Sequence, residues 1–159
     1  MPKQIDINEV VTGFRFLLTE TFESVQGFSA YLDKGTSLFE TLADISAEGA
    51  SQPMGNCATI AAHVAHTTYY LQVLEDRMFG RDLSYVNWNQ IWEEVSSVSQ
   101  AEWDQMLADL RTTYERIKRH LDKADQWEGI NELSSMLGII AHSAYHLGEI
   151  RQMMCHLAT

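Results

Sequence analysis

Basic residues are scarce in this chain: 11 Lys and Arg stand against 22 Asp and Glu, for a formal charge of −11 at pH 7. Nucleic-acid binding needs Lys and Arg gathered on one face. Here they are scattered, and the densest group (Arg116, Lys118 and Arg119) reads as a solvated helix face. No nucleic-acid partner is expected. Long apolar runs are missing too, none approaching the roughly 18–20 residues of a membrane span. The start, Met1-Pro-Lys-Gln-Ile-Asp6, lacks the basic-then-apolar order of a signal peptide. The expectation is a cytoplasmic protein with no membrane partner. Two cysteines, Cys57 and Cys155, do not make a secreted disulfide framework and read as buried thiols. Two prolines and 45% hydrophobic residues argue against disorder. Repeats, low-complexity stretches and Pro/Ser-rich linkers are absent, so the 159 residues read as one domain, 1–159.

Alternating strand patterns are also missing, and helical spacing dominates. From about Ile7 to Val25, Val10, Phe14, Leu17, Leu18 and Phe22 recur at three- and four-residue steps. Gly27 and Gly35 bracket an irregular insert. Helix resumes near Thr36 and fades at Gly49. A second long helix is expected from Asn56, as N-cap, to Phe79, with Gly80 as its C-terminal stop. Residues 81–98, with Trp88 and Trp92, read as a long connection covering one end of a bundle. Ser99-Gln-Ala-Glu102 matches a capping box, and Trp103, Met106, Leu110, Tyr114, Ile117 and Leu121 follow it as a stripe. The last helix should run from Gly129 to Leu157. The whole predicts an all-α fold, an antiparallel-type four-helix bundle with one crossover-length connection.

Four of the six histidines fall into two short clusters about 80 residues apart, His63/His66 and His142/His146. His142 and His146 stand four apart, on one helix face about 40° from each other, at the edge of the stripe formed by Ile139, Ile150 and Met153. Side chains at such an edge reach a space between helices, where two imidazoles and a third ligand can hold one metal ion. The third ligand is His63 or His66. Periodicity leans to His63, but that helix is apolar nearly all round, so the angle separates them poorly. Di-iron bundles use Glu-x-x-His, and no Glu precedes His66, His142 or His146 by three. A zincin needs Glu after its first histidine, where this chain has Ser143. A metal site here is mononuclear and histidine-rich. His120 and His156 stand alone near helix ends, His120 as a solvated residue or a charge favourable to a helix C-terminus.

The stretch His142-Ser-Ala-Tyr-His146-Leu-Gly148-Glu149-Ile150-Arg151 resembles the HxxxHxGxI signature of the DinB/YfiT-like superfamily. Thr59-Ile-Ala-Ala-His63-Val-Ala-His66-Thr67 resembles the family's other ligand segment, in which the histidine sits seven residues after a small hydroxyl residue. The resemblance implies a four-helix bundle that is a mirror variant of the up-and-down topology. It also implies a divalent metal held by His66, His142 and His146, with open positions for water or substrate and His63 as the alternative ligand. Glu149 departs from the pattern, where Gln is usual. It can orient a ligand histidine or a bound water, or pair with Arg151 on the surface.

Three neutral imidazoles leave an ion its full charge, so it lowers the pKa of a bound water or thiol. Zn, Ni, Fe and Mn all accept such ligands. Some relatives transfer low-molecular-weight thiols to electrophiles. The resemblance therefore implies a metal-dependent thiol transferase or hydrolase acting on a small molecule, with Tyr69, Tyr70 and Tyr145 as candidate polar groups of the pocket. Ordinary core packing is the competing reading of those tyrosines. The competing reading of the whole chain is a non-catalytic, stress-associated bundle in which the metal is structural or absent. Leftover apolar surface points to a homodimer.

Overall fold

A computed structural model describes residues 5–124, 127 and 129–157; the ends of the expected 1–159 domain lie outside it. Among the described residues there are seven helices and no strand: α1 (Ile7–Phe22), α2 (Leu38–Ala43), α3 (Ala47–Ala50), α4 (Ile60–Met78), α5 (Gln90–Glu94), α6 (Gln100–Leu121) and α7 (Ile130–Leu157). The fold is all-α, as the sequence predicts. No helix among these residues is long and apolar enough to cross a membrane.

The starts follow capping chemistry. Ser99 accepts from Glu102 N–H while the Glu102 carboxylate reaches back to Ser99 N–H, the expected box opening α6. Asp6 and Glu9 do the same for α1. The start of α4 is corrected from Asn56 to Thr59, whose hydroxyl accepts from Ala62 N–H, and such a cap is worth about 1 kcal/mol. The helix expected from Thr36 is two short ones, because Asp44 ends α2 and Ser46 caps α3. α4 stops at Gly80, whose φ of 61° is the left-handed conformation glycine takes at little cost.

Side-chain pairs fix the helix directions. Phe22 stacks on Tyr114 and Arg15 pairs with Asp122, so α1 and α6 are antiparallel. His63 meets His146 and Tyr70 meets His142, so α4 and α7 are antiparallel. Glu75 meets Arg116 and Phe79 meets His120, so α4 and α6 run parallel. The connection 79–99, with α5 inside it, carries the chain back to the end where α4 begins. There Trp103 donates its indole N–H to Ile45 O. The core is made by Phe14, Leu18, Phe22, Leu71, Leu110, Tyr114, Ile117, Met136, Ile139 and Ile150 among others. Glu20, only 2% exposed, spends its carboxylate on the backbone N–H groups of Ala30, Tyr31 and Leu32, which fastens the Gly27–Gly35 insert to α1.

Two sequence readings are corrected here. Cys57 and Cys155 are free and exposed, not buried. Cys57 sits in the turn before α4, and Cys155 is on the last turns of α7 with its thiol on Arg151 O. The basic group of α6 is not merely solvated: Arg116 makes a forked contact to Glu75 and Lys118 reaches Glu23 at 2.5 Å, leaving Arg119 exposed.

Candidate metal centre

α4 and α7 carry all four clustered histidines to one seam. The two helices approach closely at Gly138, where a Cβ would lie 3.0 Å from Leu74 Cδ1. One turn further along α7 come His142 and then His146, facing His66 and His63 of α4. His66, His142 and His146 each offer a ligand atom within 4.8 Å of the others. Their rings lie 4.4–5.1 Å apart between centroids.

His63 and His66 are both 7% exposed and His146 is 4% exposed, so burial does not choose between the two α4 histidines. The angular preference for His63 is lost because α4 is covered on most sides. Position along the seam separates them instead. His66 faces both α7 histidines, whereas His63 faces His146 alone, with the two Nδ1 atoms 3.0 Å apart. Glu149 Oε2 is 2.8 Å from His146 Nδ1 and 3.3 Å from His63 Nδ1. That oxygen is buried, and neither contact has hydrogen-bond geometry. The surface pairing with Arg151 is not formed: Arg151 turns to the Thr41 hydroxyl.

The imidazoles are held neutral. Burial, with the neighbouring His146 and His63, pushes His66 down to about 4. Burial, with His146 and His66, pushes His142 down to about 3. Burial also lowers His63 and His146, against the attraction of the Glu149 carboxylate. Neutral imidazole is the form that ligates. His66 Nδ1 and His142 Nε2 are buried with no hydrogen-bond partner. An unmet buried nitrogen costs roughly 1–3 kcal/mol, so two of them in one cluster are a standing loss that a cation would remove. The donor set suits a divalent ion of the Zn, Ni, Fe or Mn kind.

Aromatic rings close the cluster. Tyr70 lies flat on His142, centroids 3.5 Å apart and planes 11° apart. Trp92 of α5 stacks on His66 at 4.3 Å and meets His63 edge-on. Tyr69 instead accepts from Asn87 N–H and so pins the connection that carries Trp92. Tyr145 is 63% exposed, at the rim. Trp92 was legible only as part of a covering connection, since nothing in its local sequence names His66 as its partner. A cleft of about 490 Å³ opens elsewhere, at the far end of α4 beside Met78, His120 and Lys123. There His120 is neither solvated nor a simple helix-end charge: its Nε2 lies 2.9 Å from Glu75 Oε1.

Comparison with known proteins finds no family model, no curated protein and no solved structure that matches this chain.

Proposed function

We propose that this chain is a metal-dependent protein of the DinB/YfiT-like kind, a four-helix bundle of mirror-variant topology over 1–159. In this reading His66, His142 and His146 hold one divalent ion, with His63 the alternative to His66. The observation that carries it is the pair of buried, unpartnered imidazole nitrogens, His66 Nδ1 and His142 Nε2, inside a cluster that burial keeps neutral. When bound, the ion supplies Lewis acidity that brings the pKa of a water or thiol toward neutrality. The chain's own part is positioning. Tyr70 fixes the plane of His142, Trp92 shields His66 from water, and the exposed Tyr145 lies where a substrate enters. The activity proposed is transfer of a low-molecular-weight thiol to a small electrophile, or hydrolysis of a small molecule, by a cytoplasmic homodimer. Ile130, Leu133 and Leu137 leave an exposed apolar strip on α7 for self-association.

One observation favours a second reading. Trp92 covers the histidines closely enough for the ion to be structural in a non-catalytic bundle. Metal content of untagged protein, reconstituted with Zn²⁺, Ni²⁺, Fe²⁺ or Mn²⁺, decides first: about one ion per chain in wild type and none in His146→Ala is expected. Wild type that binds no divalent ion sinks the proposal. Melting the stripped protein then separates the two readings, because an open catalytic site survives stripping as a folded bundle and a structural one does not. Thiol consumption with simple electrophiles tests the reaction class.

A further inference from the structure

Three atoms beside the three-histidine group have a geometry of their own. His63 Nδ1, His146 Nδ1 and Glu149 Oε2 form a triangle with edges of 3.0, 2.8 and 3.3 Å. Ligand atoms about 2.0–2.2 Å from one ion, at angles between octahedral and tetrahedral, stand about 2.8–3.6 Å from one another. All three edges fall in that range. A proton lies on the line between two atoms and satisfies one edge only. A cation about 1 Å off the plane of the three atoms, at about 2.0–2.2 Å from each, would satisfy all three, including the buried Glu149 oxygen that lacks a hydrogen bond of good geometry.

We propose that His63, His146 and Glu149 form a second cation position, alternative to the His66–His142–His146 position and sharing His146 with it. The proposal rests on the reading that this cluster holds metal. A neutral imidazole has one lone pair, so His146 serves one ion at a time. An ion taken at Nδ1 leaves the ring proton on Nε2. An ion taken at Nε2 leaves the proton on Nδ1, beside Glu149. The two positions also differ in charge. Three imidazoles leave a divalent ion its full charge, whereas the carboxylate cancels half of it and suits harder ions such as Mn²⁺ better than softer ones.

The test is a double-mutant cycle on metal affinity, read by competition titration with Co²⁺ and Mn²⁺ on untagged protein, with circular dichroism as the check on folding. Glu149→Gln is measured in wild type and in His142→Ala; His142→Phe, which keeps a ring against Tyr70, replaces His142→Ala if the latter does not fold. A carboxylate that only supports His146 as a ligand costs about 10–100-fold on removal, and by the same factor in both backgrounds. A carboxylate that is itself a ligand of the alternative position weakens the His142 variant at least about tenfold more than wild type, as coupled sites do. His63→Ala should show the same pattern. Equal factors in both backgrounds, or a His142 variant that holds no ion at all, would overturn the proposal while leaving the three-histidine reading intact. No ion in wild type overturns that reading first.

Discussion

Two histidine-bearing clusters share helix α4, and they treat their polar atoms in opposite ways. Near its C-terminal end Glu75, 5% exposed, receives Arg116 through Nε and Nη2 and lies 2.9 Å from His120 Nε2. Burial opposes ionisation of Glu75, but the His120 and Arg116 contacts outweigh it and hold the carboxyl at about 2. Both of its oxygens are met. Near the N-terminal end, His66 Nδ1 and Glu149 Oε2 are buried and unmet, as is His142 Nε2 across the seam. The first cluster ties α4 to α6. The second leaves these atoms without hydrogen bonds at the α4–α7 seam, an arrangement that fits the proposed metal site. Histidine count does not separate the two clusters; satisfaction of their polar atoms does.

The comparison breaks if the two clusters respond alike to truncation. Glu75→Ala leaves Arg116 without its partner. We expect a loss of about 2–3 kcal/mol, below the usual range for a fully buried pair because Arg116 is partly exposed and can rehydrate. For a chain this size that lowers the melting temperature by roughly 4–12 °C, with metal content unchanged. His142→Phe should do the reverse: metal affinity falls, while metal-free protein melts at or above the wild-type temperature, because a nitrogen costing roughly 1–3 kcal/mol is gone. Thermal melts and metal analysis of both variants check this. A His142→Phe protein as destabilised as Glu75→Ala would place both clusters in the same structural role.

Proton linkage sharpens the same contrast. His66 and His142 are lowered from 6.5 to about 4 and about 3. Below pH 6.5 the unfolded chain therefore takes up protons that the folded one refuses, and stability falls as pH falls through that window. Glu75 is lowered from 4.5 to about 2, so its contribution is present above pH 4.5 and is lost as pH falls through 2. Metal-free wild type should lose melting temperature steadily between pH 7 and pH 5. Glu75→Gln should keep that slope, and His66→Phe/His142→Phe should lose much of it. A wild-type melting temperature constant over pH 7–5 contradicts the burial argument for the site.

Local chemistry made much of this legible in the sequence. The i, i+4 pair His142/His146 follows from helix geometry alone, and the α6 capping box is four residues long. What escaped was set by contacts between distant segments. Asn56 is the better cap in isolation, yet the cap is Thr59, where α4 meets the core. His63 and His66 could not be ranked by angle on a helix buried nearly all round. Arg116 and His120 read as solvent-facing because Glu75, 41 and 45 residues away, is invisible to periodicity. Cys57 and Cys155 read as buried from residue type, but each lies beyond or near a helix end where the packing stops.

The smallest effect expected is at Gly138, which lets the two halves of the site approach. A Cβ there would meet the tip of Leu74 at 3.0 Å and the Tyr70 hydroxyl at 4.0 Å. Alanine gains about 0.8–1 kcal/mol over glycine inside a helix. Turning Leu74 aside costs about 0.5–1.5 kcal/mol if it leaves its rotamer, and the tip of a flexible chain can yield where backbone could not. These terms nearly cancel, so Gly138→Ala should melt within a few degrees of wild type. Its mark should appear in the site instead. Leu74 is the side chain that must yield, and Tyr70, one turn away on α4 and stacked on His142, is the neighbour through which that shift reaches the ring. Metal affinity should then weaken by less than about tenfold, while the Glu75 cluster, anchored on α6, keeps its stability contribution. A Gly138→Ala protein with unchanged affinity would show that a shift at Leu74 is absorbed before it reaches the His142 ring.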